Sequence, residues 1–446
     1  MICKIFCPSE YKRRGWSVMR LAKSIYDTYV QILEAELVPA FGCTEPIAIA
    51  YCAAKAREVL GHIPEKVEIK ASGNIIKNVK SVIVPNTDGL KGIPAAAAAG
   101  IIGGNVEKKL EVISELTKEQ KDEMRRYLEH TSIDVKPLKD GDKLDILMTV
   151  YAKGSQAAVR ISRTHCNIVY IEKDGEVHYL ETTPAYEENP APKVDKGLLN
   201  IKDIVSFASE VNIEDVKEVL DRQVSYNYAI AQEGMAQDWG ANIGSIMVKT
   251  CGDDVKVMSK ALAAAGSDAR MGGCELPVVI NSGSGNQGIT VSIPVIVYSE
   301  YLKCPKDTLY RALVISNLIA VHIKHGIGPL SAFCGVASAG CAAGCGIAYL
   351  HGGGEKEIAH TLVNSLAIVS GIFCDGAKAS CAAKIAVSVE AGILGYSMYQ
   401  NGQQFYAEDG IVSKCVETTI QNICRLGREA MNETDEEIIR IMTNCD

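Results

Sequence analysis

The sequence predicts an α+β fold in which a mainly helical domain carries an inserted α/β module. Three observations predict it. Apolar residues recur at helical spacing from just after Met19, strand-like alternation replaces that pattern over residues 65–181, and the chain beyond the Pro-rich segment 187–196 returns to helix. The division that follows puts 19–61 and 195–446 in the helical domain, 62–194 in the module and 1–18 in an N-terminal extension. Residues 1–18 show neither period, so Met19 is the expected natural start.

The elements follow in order. Leu21, Ile25, Tyr29, Leu33 and Leu37 share one helical face over 20–37, and Pro39 stops the run. Thr44 is a good N-cap with Glu45 and Pro46 in the first turn, so a second helix runs to Gly61 and places Cys43 at its N-terminus. Strands are expected at 66–71, 79–84, 144–150, 157–161 and 167–171, the last turning at Lys173-Asp174-Gly175 into a hairpin. Two helices interrupt them, one after Asn105 and one opened by the capping box Thr117…Gln120.

Stretches 276–299 and 326–350 contain no Asp, Glu, Lys or Arg. In the latter, 17 of 25 residues are Gly, Ala, Ser or Cys, which enter lipid weakly, so both read as closely packed interior rather than membrane spans.

Composition narrows the function classes. The 446 residues are 47% hydrophobic and 22% charged, as in a globular chain, and Lys plus Arg total 46 against 54 acidic residues, a net charge of −8. No nucleic-acid or anionic-membrane partner is expected. The 16 cysteines are too sparse for a secreted disulfide scaffold, and no export signal opens the chain, so a cytoplasmic location is expected.

Cysteines concentrate late, at Cys334, Cys341, Cys345, Cys374, Cys381, Cys415, Cys424 and Cys445. An arbitrary one is best read as a small buried apolar residue. Cys374 and Cys381 differ, because Asp375, Gly376, Lys378 and Ser380 surround them with polar and flexible positions that suit reactive or metal-binding thiolates. No CxxC pair occurs, so any cluster must be assembled from distant segments. Three thiolates would leave one iron of a [4Fe–4S] cluster open, as a Lewis-acid site requires.

Cys43, at a helix N-terminus, is expected to have a lowered thiol pKa and to serve as base or nucleophile, with plain packing equally open. The loop Asn281-Ser282-Gly283-Ser284-Gly285-Asn286-Gln287-Gly288 offers backbone and side-chain donors for an anion, or is an ordinary tight connection. Lys77 stands between Asn74 and Asn78 in what reads as a turn. His165 is a candidate acid or base, though a satisfied structural histidine is the commoner case, and the same holds for His322 and His325.

Gly42-Cys43-Thr44-Glu45-Pro46, Asn74-Ile75-Ile76-Lys77-Asn78, the 281–288 loop, Cys334, and Cys374-Asp375-Gly376-Ala377-Lys378 with Cys381 together resemble the L-cysteine desulfidase family, a relative of the iron–sulfur L-serine dehydratases. The resemblance runs from about Met19 to the C-terminal region. It implies a lyase without pyridoxal phosphate that converts L-cysteine and water to pyruvate, hydrogen sulfide and ammonia. It implies one oxygen-sensitive [4Fe–4S] cluster per chain, with Cys334, Cys374 and Cys381 as ligands and Cys43 as the catalytic cysteine. Ser282, Ser284 and Asn286, with Lys77, are the candidate donors to the substrate carboxylate, and Glu45 and Asn74 complete the expected substrate contacts. Cys445 is similar to a C-terminal cysteine that occupies the site in some related dehydratases.

Other readings stay open. They are an L-serine dehydratase on the same scaffold, a pyridoxal-phosphate lyase using Lys378 or Lys384, a non-catalytic iron or redox sensor, and a membrane transporter. Sequence also leaves open whether the chain forms a homodimer.

Overall fold

The computed structural model describes residues 21–138, 141–181, 194–328 and 330–443. The expected N-terminal extension, Cys445 and most of segment 187–196 lie outside the described residues.

Helix α1 (Lys23–Glu36) buries Tyr29, Ile32 and Leu33 along one stripe. After β1 (Pro39–Phe41) comes α2 (Thr44–Leu60), which ends at Gly61 in the left-handed conformation, φ 82°. Its N-cap is Cys43 rather than the expected Thr44, which is already helical. The chain continues through β2 (Lys66–Ala71), α3 (Gly73–Val79), α4 (Gly92–Gly103), α5 (Lys118–His130), β3 (Ser132–Pro137), β4 (Asp145–Ala152), β5 (Ser155–Ser162), β6 (Ile168–Lys173) and β7 (Glu176–Leu180).

The six strands form one sheet in the order β3-β2-β4-β5-β6-β7, with β2 and β3 parallel and the other pairs antiparallel. Alternation fixes which face is inside: Ile146, Met148, Val150 and Ala152 of β4 are buried under α2. Asp174 and Gly175 both have positive φ at the β6–β7 turn, as the expected hairpin requires.

Three expectations need correction. Run 79–84 is not a strand: Ser72 caps α3, its Oγ accepting from the Ile75 N–H at 3.4 Å, and beyond Val79 only Ile83 makes an isolated bridge, to Lys91. The helix after Asn105 is a 3-10 turn (Val106–Glu111), broken where Lys109 takes φ 47°. Helix α4 was not anticipated, because a run of five alanines has no apolar face to read although alanine is the best helix former.

Those alanines let α4 approach α2 closely. A Cβ on Gly100 would fall inside van der Waals contact with the Ala50 carbonyl oxygen, a backbone atom that cannot swing away. Gly100→Ala is therefore expected to destabilise the module by about 1–3 kcal/mol, read as a lower thermal midpoint.

The second core is helical. The elements after the sheet are α6 (Ile201–Glu210), α7 (Lys217–Ala236), α8 (Ile243–Cys251), α9 (Val255–Met271), β8 (Pro277–Val279), α10 (Gly285–Tyr301), α11 (Lys306–Ile327), α12 (Gly335–Leu350), α13 (Glu355–Val369), α14 (Ser380–Gln400), α15 (Val416–Arg425) and α16 (Asn432–Thr443); all but α8 and α16 give buried residues to this core, and α16 packs on α3. The uncharged stretches supply α10 and α12, both wrapped by other helices. Among the described residues α14 alone is long and apolar enough to cross a membrane, and it packs on α9, α12 and α13 with 56% of its most apolar window buried. The sequence division grouped 19–61 with this domain; α1 packs here, whereas α2 packs in the sheet core.

Two short pairings position the site. Strand β1, leading into Gly42 and Cys43, lies antiparallel to β8, leading into the 281–288 loop. A bridge between Phe333 and Phe373 sets Cys334 beside Cys374.

Candidate active site

Gly42 turns the chain at φ 72°, and a Cβ there would collide with the ring of Pro85. The turn delivers Cys43, Thr44 and Glu45 to the interior. Cys43 Sγ donates to Glu45 Oε2 at 3.2 Å, Thr44 Oγ1 lies 3.1 Å from both Glu45 Oε2 and the Gly283 carbonyl oxygen, and Asn78 Nδ2 donates to Glu45 Oε1 at 3.0 Å. Burial opposes ionisation of Glu45, but His165, the Cys43 thiol and the Arg270 guanidinium outweigh it and hold the carboxyl below its usual range.

The expectation of a lowered Cys43 pKa is not met. Burial pushes this thiol up and the neighbouring Glu45 carboxylate adds to the effect, so Cys43 is a protonated thiol whose hydrogen is given to Glu45. Desolvation and an adjacent anion here exceed what the helix N-terminus offers.

Across from this motif lies the 281–288 loop. Ser282 adopts φ 50°, rare for a serine, and its hydroxyl donates to Asn281 Oδ1 at 2.9 Å. Ser284 caps α10, its Oγ accepting from the Gln287 N–H at 3.5 Å. Asn286, buried in the first turn, accepts from Arg270 Nη1 at 3.1 Å. A Cβ on Gly283 would touch the His165 ring, and a Cβ on Gly335, next to Cys334, would strike the Gln287 side chain. His165 Nε2, Gln287 Oε1, Asn74 Oδ1 and Asn78 Oδ1 are buried without a hydrogen-bond partner. Such atoms are costly to leave unpaired, so a polar ligand is the natural account of them.

Three cysteines converge on the far side. The Cys334 N–H donates to the Ile372 carbonyl oxygen at 3.1 Å and the Cys374 N–H to the Ala332 carbonyl oxygen at 2.6 Å. The thiol of Cys334 hydrogen-bonds Cys374, which lowers the Cys374 pKa and raises that of Cys334, and Lys77 and Lys384 further favour a Cys374 thiolate. Cys381 opens α14, senses the charge of Cys374, and packs against the cluster of Cys43, Val82 and Met271. Gly376 takes φ 95°, where a Cβ would overlap the Lys77 carbonyl oxygen, so the loop between the last two thiols presses on α3.

Among the described residues no group of three His, Cys, Asp or Glu side chains stands at metal-ligand spacing. The donor set nevertheless suits a thiophilic cluster. Three thiols from three segments meet in a largely buried region, and Lys77, Lys324 and Lys384 supply positive charge against thiolates. Cys341 and Cys345, by contrast, are fully buried in α12.

Lys77 is not available as expected. It is buried in an ion pair with Asp435 of α16 and lies 3.5 Å from the Cys374 carbonyl oxygen, so its charge is already matched. Helix α16 also binds Lys80 through the Met442 carbonyl oxygen and sets Ile439 against Gly73. Lys378 and Lys384 both pair with Asp375.

His322 is structural: its Nε2 meets Glu417 Oε2 at 2.8 Å, and Glu417 also accepts from the Ile201 N–H at 2.7 Å. Burial opposes ionisation of Glu417, yet His322 and that N–H lower its pKa. A depressed folded-state pKa stabilises above the ordinary glutamate range and the benefit fades as pH falls through it. Glu417→Gln is therefore expected to cost about 1 kcal/mol at pH 7, and the gap in thermal midpoint from wild type should shrink below about pH 4.

Sequence reasoning missed Arg270 and Asp435, and saw Asn78 only as part of a turn. Neither Arg270 nor Asp435 stands in a motif, and each reaches the site from far along the chain.

Residues 107–440 match the model of the serine dehydratase alpha chain family, a span that includes His165, the 281–288 loop and the three cysteines but not Cys43 or Glu45. A UPF0597 protein of Desulfitobacterium hafniense is 59% identical over 94% of this chain and 97% of its own length. Similar proteins of that name occur in Lachnoclostridium phytofermentans, at 49% identity over 94% of this chain and all of its own length, and in Treponema denticola, at 44% over 95% and 99%. The chain belongs to the serine dehydratase alpha chain family and to the UPF0597 proteins.

Proposed function

We propose that the protein is an L-cysteine desulfidase, an iron–sulfur lyase that converts L-cysteine and water to pyruvate, hydrogen sulfide and ammonia. The observation that carries this reading is the convergence of Cys334, Cys374 and Cys381 beside a buried Cys43–Glu45 pair. A [4Fe–4S] cluster held by those three cysteines supplies, when bound, a thiophilic Lewis acid that makes substrate sulfur a better leaving group.

The rest falls to the chain. Ser282, Ser284 and Asn286 receive the substrate carboxylate. Glu45 Oε2 accepts the Cys43 hydrogen bond and would take that proton only where positive charge arriving with the bound cluster and the substrate ammonium offsets the burial of the thiol; the thiolate so formed then removes the proton from the substrate Cα. His165, buried with Nε2 unpaired and its ring beside Gly283, is the acid or base on the loop side of the site. Loss of sulfide leaves aminoacrylate, which tautomerises and hydrolyses in water.

The family match favours a second reading, L-serine dehydration on the same site. Steady-state assay of anaerobic protein with both amino acids separates them. A higher kcat/KM for L-cysteine supports the desulfidase, and a higher value for L-serine replaces it with the dehydratase.

A further inference from the structure

Arg270, in the last turn of α9, is 3% exposed and makes no ion pair among the described residues. Its Nε and Nη2 donate to the Gly42 carbonyl oxygen at 3.2 and 2.9 Å, and its Nη1 donates to Asn286 Oδ1 at 3.1 Å. A guanidinium has five N–H groups, so two remain. Its charge acts on the Glu45 carboxylate without a direct bond to it, its hydrogen bonds all go to neutral acceptors, and the bond to Asn286 Oδ1 leaves the Nδ2 end of that amide to donate. Gly285 makes room for this arrangement, since a Cβ there would overlap Arg270 Nε.

We propose that Arg270 is a positioning residue for capture of an α-amino acid carboxylate. It fastens the turn that carries Cys43 and Glu45 to the 281–288 loop, and it holds the Asn286 amide with Nδ2 as the donor to the carboxylate. The proposal rests on the reading that this loop receives the carboxylate. It adds the residue that holds that loop in register with the Cys43 turn, and it requires the free carboxylate: amides, which bring no negative charge, do not bind.

The test uses the anaerobic full chain and two readouts. In turnover, Arg270→Lys, which keeps the charge but loses the planar fork, is expected to raise KM for L-cysteine about tenfold while kcat changes less than about threefold. Gly285→Ala, which keeps the Arg270 side chain but displaces it, should reproduce that split. In calorimetric binding, which needs no turnover, wild type should bind L-alanine and not L-alaninamide, and Arg270→Lys should weaken L-alanine binding about tenfold. Iron content and thermal midpoint should stay at wild-type levels. Unchanged KM and L-alanine binding in Arg270→Lys would overturn the proposal, as would equal binding of the amide, no L-alanine binding by wild type, or a parallel loss of iron. Arg270-dependent L-alanine binding without sulfide release would uphold the proposal and sink the desulfidase reading.

Discussion

Cys374→Ala is expected to strip the protein of iron and acid-labile sulfide and to reduce cysteine-dependent sulfide release below about 1% of wild type. Cys374 stands at the centre of the thiol group: it bonds Cys334, influences Cys381, and is faced by Lys77 and Lys384. Removing its sulfur leaves two thiols, too few to hold the cluster. Cys341→Ala is the control, because that thiol is enclosed in α12 and its loss should cost only packing, about 1 kcal/mol. Iron analysis and anaerobic sulfide assay of the two variants beside wild type check the contrast. Equal effects from both would place the cluster elsewhere.

Glu45→Gln is expected to lower kcat by about a hundredfold to a thousandfold while iron content is retained. The carboxylate accepts from Cys43, Thr44 and Asn78 and donates nothing. A glutamine must turn its NH2 toward one of those donors, and it cannot take the Cys43 proton. The buried mismatch should also lower stability by about 1–3 kcal/mol. Kinetics and a thermal melt on the same preparation separate the two effects, and retention of full kcat would remove Glu45 from the proton path.

Much of the fold is legible in local patterns. Strand β4 follows from alternation that one buried face imposes, and α2 is bounded by Pro46 and Gly61, whose backbone limits are local. Helix α3 is not legible, because Ile75, Ile76 and Val79 suit a strand and only the Ser72 cap and the packing of Ile75 select helix. The site divides the same way. Cys43, Glu45, the 281–288 loop and the three cysteines stand out as motifs, and the structure brings them together. Arg270 meets Gly42 across 228 residues and Asp435 meets Lys77 across 358, and no pattern along the chain encodes either meeting. The Cys43 pKa was misjudged for a related reason: helix position is local, whereas burial and charge around the thiol are set by the whole fold.

The central claim is that the three thiols hold an iron–sulfur cluster that serves carbon–sulfur cleavage. The most direct measurement is iron and acid-labile sulfide content on anaerobically purified protein, with pyruvate and sulfide release from L-cysteine followed on the same sample before and after exposure to air. The account predicts about four irons per chain, one sulfide per pyruvate, and loss of both iron and activity in air. Iron-free protein that releases sulfide at full rate, in air as without it, would contradict it.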